Sequence, residues 1–260
     1  MRGFSNSAVG RVLLISTIIG MGQSFAQSRP DVAEVLANVG RVYKTANQYR
    51  FRATITSETR TSGKKAVTSA AIVVAVQRPE RIRFDVNGNG AAEFTGMYIG
   101  DEIAVSDGTS FVYYLPKFNQ YTRTPLRSNG AVADSITPMG TVPAFIEHID
   151  EMFLGFYKVA GAFSDHARFL KEEPITVDGS TVNCYVIEMD DPPYSRRTLW
   201  VDQEKSVVLK EIMDLLNPSN LPSLTKTTVF LAAQFSGSLQ DGLFFFSPPA
   251  GAKKVDAFGR

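Results

Sequence analysis

The sequence is poor in the residues that most often carry catalysis or bind metals, with one cysteine, Cys184, and two histidines, His148 and His166. A single cysteine cannot form a disulfide within the chain. Because Cys184 lies in the alternating stretch TVNCYVIEM, we interpret it as a small buried thiol rather than a reactive one. Glu147 and Glu151 flank His148 at a spacing that could begin a metal site, but we interpret them as a solvated acidic helix face. We therefore expect no metal and no other cofactor.

The chain also lacks an excess of basic residues. Lys and Arg number 27 against 26 Asp and Glu, which gives a net charge of +1. Without the first 26 residues, 25 basic and 26 acidic residues remain, and the net charge is −1. A nucleic-acid groove needs a basic excess, so this balance argues against nucleic acid as a partner.

Motifs of the common enzyme classes are missing as well. The sequence has no G-x-S-x-G elbow, no P-loop and no G-x-G-x-x-G. The acid-proline stretch at 190–193 is more typical of an exposed loop than of a calcium site. Arg196 and Arg197 could meet an anionic headgroup or lie on a solvated edge. We predict that the protein is not an enzyme; the alternative is a hydrolase that uses His148 or His166.

The N-terminus has the pattern of an export signal. Arg2 and Arg11 precede an apolar run over 12–19, and Ser24-Phe25-Ala26 places small residues before a cleavage site. The run is shorter than the roughly 20 residues that span a bilayer. We predict a signal peptide over residues 1–26 that is cleaved after Ala26, and hence export to a periplasm. An uncleaved N-terminal anchor is the alternative.

The mature chain begins with a helix and continues with strands. Apolar residues recur at helical spacing after Asp31, which is suited to cap the helix N-terminus. From Tyr49 to Thr56 apolar and polar residues alternate, which indicates a strand with one solvated face. Further strands are predicted over 67–76 and 81–86.

The stretch around Asp107-Gly108 predicts a hairpin. This dipeptide readily forms a tight turn; Ile103–Ser106 leads into it, and Ser110–Leu115 returns from it. A third strand follows over Tyr121–Thr124. Both faces of the returning strand are apolar, so one needs the core as a cover and the other needs a helix, a partner or a ligand.

The middle of the chain predicts helices, and the last third predicts strands again. Apolar spacing predicts a helix over 145–156, and Phe163, Ala167 and Leu170 extend the pattern into a shorter helix. Strand periodicity then returns over 182–189, 197–202, 207–213, 225–233 and 243–246.

This order of elements predicts an α+β fold with about nine strands in a large, strongly bent antiparallel sheet and the helices in its concavity. No linker and no internal repeat divides the chain. We therefore predict a single domain over 27–260 with an enlarged middle region over 126–181.

Three stretches carry a resemblance to a known group of proteins. They are Arg78-Pro79 with the following strand 81–86, the VSDG turn at 105–108 with its aromatic strand, and FFFSPPAGA at 244–252. In this order they resemble the periplasmic lipoprotein carrier superfamily, which has the LolA/LolB-like fold. The chain is most similar in type to the uncharacterised bacterial periplasmic members of that superfamily.

The resemblance implies a fold, a function and a role for one residue. The fold is an unclosed β-barrel, a strongly curved antiparallel sheet whose open side is plugged by helices. Members hold acyl chains between the sheet and the helices. The arginine before a proline, which is Arg78 here, implies a contact that helps to hold the helical lid shut.

An apolar set supplies the candidate ligand-binding residues. These are Phe51, Phe84, Phe111 and Tyr113 from strands and Phe145, Ile149, Met152, Phe153 and Phe156 from the helix. Tyr49 and Trp200 belong to the same apolar constellation, and all of these residues could simply form a large core. We predict a periplasmic, non-enzymatic binding protein whose partner is a lipid or an acylated protein, with transient membrane contact. The alternative is an envelope sensor or adaptor that binds a protein partner through the same concave face.

Overall fold

The structure is a computed structural model that describes residues 29–61, 64–77, 80–88, 90–91, 98–126, 166–191, 195–217, 219, 221–235 and 237–258. Helix α1 spans Val32–Thr45. As predicted, Asp31 is its N-cap, since the Asp31 carboxylate accepts the backbone N–H of Ala33 at 2.9 Å. The apolar face of α1 buries Leu36, Val39 and Tyr43.

The strands after α1 form a first antiparallel meander. In chain order they are β1 (Gln48–Thr61), β2 (Lys64–Gln77), β3 (Arg81–Gly88), β4 (Gly90–Ala91), β5 (Tyr98–Ile99), β6 (Glu102–Asp107), β7 (Ser110–Leu115) and β8 (Gln120–Pro125). Short strands β4 and β5 pair only with each other. The predicted hairpin is confirmed, because β6 and β7 pair antiparallel across the turn at Asp107-Gly108.

A second meander begins after residue 165. It consists of β9 (Ala167–Val177), β10 (Ser180–Asp191), β11 (Ser195–Asp202), β12 (Val208–Leu216) and β13 (Pro222–Gln234), and the last strand is β14 (Lys253–Lys254). β13 pairs with β1 and β14 pairs with β8, so both meanders join one 12-stranded sheet with the order β14-β8-β7-β6-β3-β2-β1-β13-β12-β11-β10-β9.

This sheet is open and strongly curved. Its order ends at β14 on one side and at β9 on the other, and no pairing of described strands closes it. Cα atoms of β9 and β13 nevertheless approach within 8 Å, whereas a flat sheet would hold these strands about 19 Å apart. The predicted α+β fold with an unclosed barrel is therefore confirmed. α1 is the one predicted covering helix that falls in the described ranges, and it is neither long nor apolar enough to cross a bilayer.

The two faces of the sheet carry separate clusters. On the concave face, here called the inner face, α1 and side chains from both halves of the sheet form one contiguous core that includes Tyr113 and Met189. On the opposite, outer face, Cys184 and Trp200 belong to a smaller cluster over β10–β12. The interpretation of Cys184 as a buried thiol is confirmed, and burial raises its pKa to about 12.

Two predicted elements were wrong. The stretch 243–246 is not a strand: a 3-10 turn, Asp241–Phe244, runs into extended chain that crosses the outer face. There Phe244 is fully buried, and the Phe246 ring lies 5.5 Å from that of Tyr114. Ala167 and Leu170 lie in strand β9, not in a helix. An aromatic run buries apolar area equally well by covering a sheet as by joining it as a strand. The strand β9 was not predicted because it is an edge strand with many charged residues and little apolar alternation.

Candidate functional site

The inner face carries a broad apolar floor. One row of directly paired residues crosses β1, β2, β3, β6, β7 and β8: Phe51, Val74, Phe84, Ala104, Tyr113 and Thr122. Every member of this row, here called the floor row, is at most 5% exposed. Side chains on one face of a sheet repeat at every second residue, so the neighbouring rows add Ile72, Phe111 and Phe230 to the same surface.

The strand residues predicted to bind ligand therefore share one surface. Phe51, Phe84 and Tyr113 lie in the floor row, and Phe111 lies one row away on the same face. Trp200, which the sequence grouped with them, lies on the outer face, where its indole N–H donates to Glu173 at 2.6 Å. The predicted helix residues Phe145, Ile149, Met152, Phe153 and Phe156, together with Arg78, lie outside the described residues.

A carboxyl group interrupts the apolar floor near its β8 side. Glu102 of β6 is opposite Val86, on the inner face, and is 5% exposed. Burial raises the pKa of Glu102 to about 7, and the Tyr113 hydroxyl lies beside its carboxyl group. Burial and the nearby Glu102 charge also raise the pKa of Tyr113.

Two buried hydroxyl groups on the inner face have unused hydrogen-bonding capacity, that of Tyr113 beside Glu102 and that of Thr122 one strand further on. The Tyr113 and Thr122 hydroxyl oxygens are both fully buried, and neither makes a hydrogen bond of normal geometry. The two residues are direct cross-strand partners, which places their Cβ atoms about 5 Å apart. Buried polar groups without partners are rare in native proteins, so this part of the floor has unused hydrogen-bonding capacity.

A second polar group lies at another edge of the inner face. One row of paired residues there contains Arg197, Met213, Lys226, Ser57 and Thr68. Arg197 Nη1 lies 3.2 Å from Glu211 Oε1, and the side chains are only 13% and 5% exposed. Lys226 is also buried. This pair corrects the predicted solvated edge for Arg197, since its charge is buried and matched by a carboxylate.

In the residues that the structure describes, no group of three or more His, Cys, Asp or Glu side chains could hold a metal ion. A shallow groove of about 280 Å³ separates α1 from the turn after β11, lined in part by Asp31 and Asp202. Both carboxylates already accept backbone N–H groups there, so they act as caps.

Sequence reasoning missed Glu102, Thr122 and the Arg197–Glu211 pair. The alternation of Ile103 and Val105 made the other face of β6 look like its apolar side. Only the register with Val86 shows that Glu102 faces the core. The inward orientation of Glu102 could have been predicted only from that register. When both faces of a strand are apolar, the pairing with neighbouring strands decides which face meets the core.

Comparison with known proteins gives a family match over the first meander. A family model described as "Predicted periplasmic protein (DUF2092)" matches residues 32–144. No curated protein matches the chain.

Several solved structures are similar to the chain at low sequence identity. LppX, a lipoprotein of Mycobacterium tuberculosis, is 11% identical over 82% of this chain and 100% of its own, with a TM-score of 0.44. MucB of Pseudomonas aeruginosa, in complex with MucA, is 13% identical over 82% and 60%, with a TM-score of 0.43. A LolA superfamily protein of Nitrosomonas europaea is 12% identical over 84% and 99%, with a TM-score of 0.31.

Proposed function

We propose that the protein is an exported, non-enzymatic binding protein that holds a lipid or an acylated molecule against the inner face of its sheet. The observation that carries this proposal is the floor row, an apolar surface that extends across β1, β2, β3, β6 and β7 and ends at Tyr113 and Thr122. Each acyl CH₂ that leaves water for such a surface gains roughly 0.8 kcal/mol, so one chain suffices for useful binding.

The position of α1 supports the floor row as the surface that holds the ligand. The Tyr43 hydroxyl accepts the backbone N–H of Val208 at 3.3 Å, and the Tyr43 ring packs on Phe235 at 5.1 Å. α1 also contacts β9. The helix is therefore anchored on the second meander, whereas most of the floor row belongs to the first.

The first experiment is native mass spectrometry with organic extraction of protein exported to a bacterial periplasm and purified without detergent. We expect a near-stoichiometric lipid or acylated species that accompanies the folded protein. A clean ligand-free mass, followed by failure to take up fatty acids or lysolipids in solution, would contradict the proposal.

A volume probe distinguishes a ligand site from an ordinary core. Ala104 lies in the floor row between Phe84 and Tyr113, and Ala71 of β2 is exposed on the outer face. If ligand fills the space above the floor, Ala104→Leu should expel it and leave stability nearly unchanged. If protein fills that space, overpacking should cost about 1–3 kcal/mol. Ala71→Leu is the matched control, for which we expect neither effect.

The alternative function is an envelope sensor or adaptor that binds a protein partner through the same face. Two results together would favour this alternative. The purified protein would carry no ligand, and a crosslinker placed at a floor position such as Phe51 would capture a partner protein in the envelope. Gating by Arg78 and transient membrane contact remain parts of the proposal. If Arg78→Leu leaves ligand retention and release unchanged, the gating role is wrong.

A further inference from the structure

Glu102 is a buried acid that no basic side chain neutralises in the described part of the chain. Arg81, Arg83 and Asp85 of the neighbouring strand β3 lie on the outer face. There Arg81 pairs with Asp241 at 2.6 Å, and Arg83 pairs with Asp85 at 2.8 Å. On the other side of β6, strand β7 has no charged residue. Tyr113 is thus the titratable side chain that acts on Glu102.

Unused acceptor capacity lies on the Tyr113 side of this acid. The Tyr113 hydroxyl lies beside the Glu102 carboxyl group, and neither it nor the Thr122 hydroxyl makes a normal hydrogen bond. The Tyr113 ring packs edge-on against Phe258 at 5.5 Å, so an aromatic wall borders the group. A carboxylate, two hydroxyl oxygens and aromatic rings are the surroundings in which proteins bind small cations with several N–H donors.

We infer that Glu102, Tyr113 and Thr122 form a subsite for the primary ammonium group of an amphiphilic ligand whose acyl chain lies along the floor row. An ammonium group has three N–H donors and no acceptor, and it is compact enough for a site between adjacent strands. An anionic headgroup would be repelled by the carboxylate, and a quaternary ammonium has no N–H to donate. The inference rests on the proposed function and adds the chemical class of the headgroup.

The test compares lysolipids that differ only at the nitrogen. Palmitoyl lysophosphatidylethanolamine and palmitoyl lysophosphatidylcholine have the same chain and the same phosphate, but methyl groups replace the N–H donors in the second. Below their micelle concentrations, calorimetric titration at pH 8 should show that the ethanolamine lipid binds about tenfold more tightly. In Glu102→Gln that preference should disappear, and in Thr122→Val it should weaken.

The dependence of the preference on pH gives a second readout. Burial places the pKa of Glu102 at about 7, and only the ionised carboxylate pairs with an ammonium. The preference of the wild type should therefore rise from pH 6 to pH 8, and that of Glu102→Gln should stay flat. Glu204→Gln, in the exposed turn after β11, is the control and should behave as wild type.

The outcomes separate the subsite from the function it refines. Equal affinities for both lysolipids, unchanged in Glu102→Gln, would overturn the ammonium subsite and leave lipid binding intact. No binding of either lysolipid would contradict the proposed function itself. Glu102-dependent binding of a lysine-containing peptide without lysolipid binding would also overturn the inference.

Discussion

Glu102 and Glu211 are two buried glutamates on the same face of the same sheet, and they differ in what surrounds them. Both are about 5% exposed. Glu211 lies 3.2 Å from the Arg197 guanidinium, next to a row that also holds Lys226. Among the residues that the structure describes, Glu102 has only the Tyr113 hydroxyl beside it, and burial raises its pKa to about 7.

The difference shows two ways in which a protein can hold a buried acid. An ion pair with good geometry keeps the carboxylate charged, and desolvation is offset by the partner. Without a partner the carboxyl group is held protonated by its surroundings until the pH rises or a cation arrives. The first arrangement serves the fold, whereas the second leaves a carboxyl group whose charge changes near pH 7, which makes it the better candidate for ligand recognition.

Breaking the ion pair should have the largest effect. Glu211→Leu leaves Arg197 without its carboxylate in a buried site, and we expect a loss of about 3–5 kcal/mol in the free energy of unfolding. The double variant Arg197→Met/Glu211→Leu should recover most of that loss, because neither charge of the pair then remains to be desolvated. Urea denaturation at pH 7 measures both. Equal losses in the single and double variants would mean that packing, not charge, sets the cost.

Replacing Glu102 by a neutral residue should raise the free energy of unfolding at neutral pH, whereas breaking the ion pair lowers it. Its pKa rises from 4.5 in the unfolded chain to about 7 in the folded protein, so the unfolded chain loses its proton first as the pH rises. The wild type should therefore lose about 3 kcal/mol of stability between pH 4.5 and pH 7, and Glu102→Gln should not. Denaturation of both proteins at pH 5 and pH 8 measures this difference. A difference between them that does not change with pH would contradict the unpaired environment of Glu102.

Removing one unpartnered hydroxyl should have the smallest effect. Thr122→Val keeps the shape of the side chain and deletes a buried oxygen without a hydrogen bond, so we expect a gain of about 1 kcal/mol in stability. Thr54→Val, at an exposed position of β1, is the matched control and should change stability by less than about 0.5 kcal/mol. If Thr122→Val is destabilising, ordered water or a ligand satisfies that hydroxyl in the native protein.

Local chemistry made several elements predictable. The helix cap at Asp31, the alternation of β1 and the turn at Asp107-Gly108 each depend on neighbouring residues alone, and each is present in the structure. β9 was missed because Lys171, Glu172, Glu173 and Pro174 make an edge strand that has almost no apolar alternation. An edge strand is held by pairing to its neighbour, which the local pattern does not report.

The candidate site was predicted in part for the same reason. Four aromatic residues of the floor could be named because period-two alternation fixes which side chains share a face within one strand. Trp200 was placed with them wrongly, since alternation within β11 does not say which face meets the face of β1. The helix 145–156 and Arg78 lie outside the described residues and stay predictions.

The sequence by itself determined the fold class, the main strands and the apolar character of the inner face, because these follow from short-range periodicity and turn chemistry. Tertiary structure alone decided that FFF at 244–246 covers the outer face and that Arg197 meets Glu211. It also decided that Glu102 faces the core, where no basic side chain of the described residues pairs with it. The physical reason is register: shifting one strand by a residue exchanges its faces, and only the paired neighbours set that choice.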